Sequence, residues 1–141
     1  MKIDGVCHCG EIAWEAEIDP ARVVVCHCTD CQVMGGGAFL WGVPLPVADF
    51  TLLKGTPRAY RKQGSSGAWR RLHFCATCST PLYGTEDQAP HTLSLRLGSC
   101  RQARELAPRL QLWCSSKLGW VDEIDSLAGM EDQPQGLYLE I

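Results

Sequence analysis

From Ile12 to Asp19 the chain alternates, with Ile12, Trp14, Ala16 and Ile18 set between Ala13, Glu15, Glu17 and Asp19. A period of two predicts a strand with one face buried. Thr92 to Leu97 repeats the pattern, with Leu93, Leu95 and Leu97 on one face. Arg22 to Cys26 carries the β-branched run Val23-Val24-Val25, and Ala38 to Val43 is an apolar segment between Gly35-Gly36-Gly37 and Pro44-Leu45-Pro46. Both read as strands. Phe50 to Lys54, Arg58 to Gln63 and Ala68 to Phe74, separated by Gly55-Thr56-Pro57 and Gly64-Ser65-Ser66-Gly67, predict a meander. Only Arg101 to Leu106 predicts a helical turn or two. With no sustained 3.6-residue periodicity, the expected fold is mainly β with short irregular connections, as one domain over residues 1–141.

Composition narrows the class. The chain is 45% apolar and 21% charged, ordinary for a globular protein. Met1-Lys2-Ile3-Asp4-Gly5-Val6 lacks the apolar run of a signal peptide, and no run of about 18 apolar residues occurs. The expectation is a cytoplasmic protein without membrane contact. A formal charge of −3 argues against general nucleic-acid binding. Nine cysteines, odd in number and dense, fit zinc ligation better than disulfides in a reducing compartment.

Seven of them fall in three segments with ligand spacing: Cys7-His8-Cys9-Gly10, Cys26-His27-Cys28-Thr29-Asp30-Cys31 and Cys75-Ala76-Thr77-Cys78. In an extended chain Cys-x-Cys places both sulfurs on one side, and Cys-x-x-Cys does the same around a tight turn. Two pairs complete a tetrahedral zinc site. The triple Cys26, Cys28 and Cys31 supplies three thiolates and leaves a fourth position for chemistry, which separates catalytic zinc sites from structural ones. Spacing alone does not decide which segments share an ion, and Cys100, Cys114 or a histidine remains an alternative fourth ligand for the triple. His8 and His27, between ligand cysteines, are expected to point away from the metal. His73 and His91 lack ligand spacing.

Cys7-x-Cys9-Gly10, Cys26-His27-Cys28-x-x-Cys31-Gln32, Phe74-Cys75-x-x-Cys78 before Pro81-Leu82-Tyr83, and a late Trp120 together resemble the glutathione-dependent formaldehyde-activating enzyme family, which includes centromere protein V. The resemblance implies a zinc-stapled β-tent fold with two Zn²⁺ per chain. Cys7, Cys9, Cys75 and Cys78 would hold the structural ion, and Cys26, Cys28 and Cys31 the second, catalytic one. It also implies a carbon-sulfur lyase-type activity on thiol-aldehyde adducts, as in joining glutathione to formaldehyde to give S-hydroxymethylglutathione. The expected partners are thus a small thiol such as glutathione and a small aldehyde.

Arg58, Arg61, Lys62, Arg70 and Arg71 offer cations for the carboxylates of such a thiol, although solvated strand faces are the plainer reading. The chain departs from the family at Gln111, where a histidine is common, and at Ser79, where glycine usually follows the last cysteine. Gln111 cannot exchange a proton near neutral pH. A noncatalytic zinc or thiol carrier and a partner-binding module are the alternatives on the same fold. Exposed strand edges leave room for a homodimer.

Overall fold

The computed structural model describes residues 1–132, and within them the mainly β expectation holds. A small sheet joins β1 (Lys2–Val6), β2 (Ala13–Glu17) and β5 (Phe50–Lys54) in the order β1-β2-β5, all antiparallel. The remaining strands are β3 (Val24–Cys26), β4 (Leu40–Pro46), β6 (Arg58–Gln63), β7 (Trp69–Phe74), β8 (Pro81–Glu86), β9 (Thr92–Arg96) and β10 (Leu110–Leu112). They form a second sheet ordered β10-β3-β4-β9-β8-β7-β6. A single α-helix among the described residues, α1 (Thr29–Gly35), links β3 to β4.

The alternation read from the sequence becomes the core. Ile12, Trp14, Ala16 and Ile18 are buried from the small sheet, and Leu93, Leu95 and Leu97 face them from the large one. Gly5 on β1 makes the close approach possible: a Cβ there would sit 2.3 Å from the Trp14 indole and 2.5 Å from the Ser99 carbonyl oxygen. The turn after β9 laces the two sheets at this point. Arg101 N–H donates to the Asp4 carbonyl (2.9 Å), and the Gln102 amide both accepts from Asp4 N–H (3.0 Å) and donates to its carboxylate (2.8 Å).

Three departures have local causes. The strand expected to stop at Val43 runs through Pro44 and Pro46, because β9 continues along one side of β4 to Pro46, while β3 pairs with the other side only from Leu40 to Gly42. Beyond Gly42 that side of β4 is an edge, where missing N–H groups cost no ladder bond. The helix α1 was not expected: it is seven residues long, and Val33 and Met34 are exposed, so it shows no buried stripe. Its signals are at its ends, where the Cys28 sulfur accepts from Cys31 N–H and Gly36 closes the C-terminus at φ +66°. Strand β10 pairs in parallel with β3 across some eighty intervening residues, a partner that three residues of local pattern cannot announce.

Candidate metal centre

Cys7 and Cys9 stand on the hairpin loop between β1 and β2, and Cys75 and Cys78 on the loop between β7 and β8. The first pair thus converges around a turn, not along an extended strand as the spacing had suggested: Gly10 N–H donates to Cys7 O at 2.9 Å. All four sulfurs lie within 4.8 Å of one another. Cys7 and Cys9 Sγ are 3.6 Å apart, and Cys9 and Cys75 Sγ 3.7 Å. A tetrahedron with Zn–S near 2.3 Å has an edge of about 3.8 Å, whereas a disulfide needs about 2.05 Å. The donor set therefore fits a tetrahedral zinc ion.

Two polar groups tune this cluster. Ile12 N–H donates to Cys7 Sγ at 3.2 Å. The Thr80 hydroxyl accepts from His8 N–H at 3.1 Å and lies 3.1 Å from Cys78 Sγ, tying one ligand loop to the other. The Thr80 hydroxyl and N–H pull the Cys78 thiol down to about 5. At Cys9 the Glu11 N–H favours the thiolate, but burial and the neighbouring thiols outweigh it and push that thiol up to about 12. Four thiols at this spacing cannot ionise together without a cation. Thr80 carries no ligand spacing, and nothing in the sequence marked it.

The second cluster sits at the junction of β3 and α1. Cys26 ends the strand, Cys28 caps the helix and Cys31 lies in its first turn, and the three sulfurs fall within 4.8 Å of one another. No fourth His, Cys, Asp or Glu donor joins them among the described residues. Cys100 is buried and donates instead to Gln102 Oε1 at 3.4 Å, and Cys114 is exposed. Burial raises the Cys31 thiol, and Cys28 and Cys26 add to the rise. At Cys28, burial is overcome by hydrogen bonds from the Cys31 thiol and N–H, by Cys26 and by the Lys62 charge, and the thiol is lowered.

The segment is held from behind. His27 turns away from the sulfurs, is buried, and meets Gln111 Oε1 through Nε2 at 2.9 Å. Its carbonyl accepts from Gln32 Nε2 (2.7 Å) and Ser116 Oγ (3.1 Å), and Gln32 Nε2 also donates to Ser116 O (2.9 Å). Gln111 thus supports the ligand segment and lines none of the cavities beside the triad. Arg96 on β9 was not singled out by sequence. Its guanidinium faces the triad: burial lowers its pKa, while the charges of Cys31, Cys26 and Cys28 and a side-chain contact with Cys31 oppose that.

The other expected cations are mostly committed elsewhere. Arg61 and Arg71 share the Asp87 carboxylate at 2.8 and 2.7 Å, and Arg61 stacks on Trp69 with 3.8 Å to the ring centroid. Lys62 pairs with Asp30. Lys62, Arg70 and Arg96 nonetheless line one groove of about 250 Å³, with Thr85, Glu86 and Ser94. His73 is half-buried and stacks on Tyr83 (4.3 Å between centroids), and burial first, then Arg71, lowers its pKa. His91 is exposed. No described helix is long and apolar enough to cross a membrane.

Fold and site together define a class: a two-sheet β protein built around one closed four-sulfur cluster and one open three-sulfur cluster. Residues 2–116 match the sequence profile described as glutathione-dependent formaldehyde-activating enzyme. The chain belongs to that family. The match contains all seven clustered cysteines and ends before Trp120, which is exposed. A crystal structure of a Rhodobacter sphaeroides protein shares the fold: TM-score 0.59 at 21% identity, over 79% of this chain and 99% of that one. No curated protein matches.

Proposed function

We propose that the protein is a zinc-dependent carbon-sulfur lyase-type enzyme that forms and cleaves adducts of a small thiol and an aldehyde, with Cys26, Cys28 and Cys31 as its catalytic site. The observation that carries this reading is the open triad: three sulfurs from one segment, with no fourth donor among the described residues. Family membership supports glutathione and formaldehyde as the reacting pair. Zinc held by the triad would keep an incoming thiol as its thiolate, the nucleophilic form, near neutral pH.

In the forward direction the thiol sulfur bonds to the carbonyl carbon, the C=O π pair moves to oxygen, and oxygen takes up the proton the thiol gave up. Atoms and charge balance without a redox partner. Three thiolates around a divalent ion would leave one negative charge, which the Arg96 guanidinium would offset. The groove of Lys62, Arg70 and Arg96 suits the carboxylates of a peptide thiol. Cys7, Cys9, Cys75 and Cys78 take no part in the reaction and join the loops of two hairpins.

Two measurements test the proposal together: zinc per chain with its sulfur coordination by X-ray absorption, and exchange between formaldehyde, glutathione and their adduct by NMR. The expected result is two zincs, faster exchange than the uncatalysed background, and loss of one zinc and of the acceleration in Cys28→Ser while the fold persists. Two bound zincs with no acceleration would refute the enzymatic reading in favour of a carrier.

A further inference from the structure

Beside the cationic groove lies a second cavity of about 240 Å³, more enclosed than the grooves flanking it. Its walls include Met34 from α1, Leu40 from β4, Leu72 and Phe74 from β7, Tyr83 from β8 and Arg96 from β9. Met34 follows Cys31 by three residues on the same helix, one turn along, and Arg96 lies near enough to feel the charges of the three thiols. One wall of the cavity therefore lies within a helical turn of the triad. Apart from Arg96 and His73 its lining carries no charge-bearing side chain.

Formaldehyde has no substituent to occupy such a space. A cavity of about 150 Å³ lined by aliphatic and aromatic side chains suffices for benzene, and this one is larger. A peptide thiol is too large and too charged for it, and its carboxylates match the cationic groove on the other side of Arg96. The two compartments thus differ in chemistry and share a wall made by Leu72 and the Arg96 guanidinium. Resting on the proposed thiol-aldehyde activity, we infer that the carbonyl substrate carries an apolar group of about the size of a phenyl ring or a branched alkyl chain. That group lies in the cavity between α1, β7 and β8, and the thiol lies in the groove lined by Lys62 and Arg70. The Arg96 guanidinium stands where the carbonyl oxygen gains charge as the carbon-sulfur bond forms.

The zinc-loaded protein is assayed with glutathione and either formaldehyde or phenylacetaldehyde, with uncatalysed exchange subtracted. In parallel, fluorobenzyl alcohol, which does not react, is titrated and followed by ¹⁹F line broadening. Burying an aromatic side chain is worth about 1.5–3 kcal/mol, which converts to roughly a tenfold or greater gain in kcat/KM for phenylacetaldehyde. Met34→Trp, which fills the cavity mouth, is expected to abolish that preference and the alcohol's broadening. Leu53→Trp, exposed on β5 and lining neither compartment, is expected to leave both as they are. Acceleration of formaldehyde with no gain for phenylacetaldehyde and no alcohol binding overturns this inference and leaves the activity standing. No acceleration of either aldehyde overturns the activity, and this inference with it.

Discussion

Ser79 follows the last ligand of the closed cluster and sits at φ +60°, in the left-handed region. For a residue with a Cβ that conformation costs about 1–2 kcal/mol, and glycine avoids it. Glycine's greater freedom in the unfolded chain returns about 0.5–1 kcal/mol of that gain. The Ser79 N–H bond to the Cys75 carbonyl, 2.9 Å long, is backbone and survives the change. Ser79→Gly is therefore expected to stabilise the protein by about 0.5–1 kcal/mol, or about 1–4 °C in Tm for a chain of this size. Urea unfolding at a fixed free zinc concentration reads it directly, since metal binding shifts apparent stability by mass action. The control is Ser79→Ala, which removes the hydroxyl and keeps the Cβ; it should change stability by less than about 0.5 kcal/mol. If alanine stabilises as much as glycine, the hydroxyl was the burden and the backbone argument is wrong. If glycine destabilises, the loop is not held in this conformation.

Two further outcomes follow from the geometry. Gly5→Ala puts a methyl group within 2.6 Å of two Trp14 ring atoms and of the Ser99 carbonyl, in a part of the core where Trp14 is 1% exposed. A loss of about 3 kcal/mol is expected in the same urea assay, and a loss under about 1 would mean the sheets separate easily there. In a protein whose Cys26, Cys28 and Cys31 are alanine, zinc uptake at pH 7 should release fewer than four protons in weakly buffered solution. The Cys78 thiol, drawn down to about 5, is already ionised at that pH, whereas Cys9 at about 12 still carries its proton. Release of all four would show that the thiols are not gathered before the metal arrives.

The sequence was most legible where a single local rule governs. Period-two alternation located β2 and β9, and cysteine spacing picked out all seven clustered sulfurs, because both signals lie within a few residues. What escaped depends on distant partners. β1, β8 and β10 carry no sustained run of alternating apolar residues, and their places are set by the strands beside them. Arg96 acts on thiols far away in the chain, Thr80 ties its neighbour Cys78 to the distant His8 loop, and neither residue type is distinctive by itself. Gln111 was legible as a departure from the family, yet its contact with His27 was not, since that needs β10 laid beside β3. Ser79 shows the reverse: its departure from glycine was legible in the sequence, and the structure gives that departure a backbone consequence, a positive φ.

The closed cluster joins Cys9 to Cys75, 66 residues later in the chain. At about 5–20 residues per second of synthesis, the first pair of thiols waits roughly 3–13 s for the second pair to be made. During that interval Cys7 and Cys9 are bare on a hairpin whose sheet has not found the other. Those two thiols are open to oxidation and to stray metal before their partner thiols exist. With zinc in the closed cluster as proposed, zinc supply and redox state during translation would bear on the yield of this protein before its folded stability could.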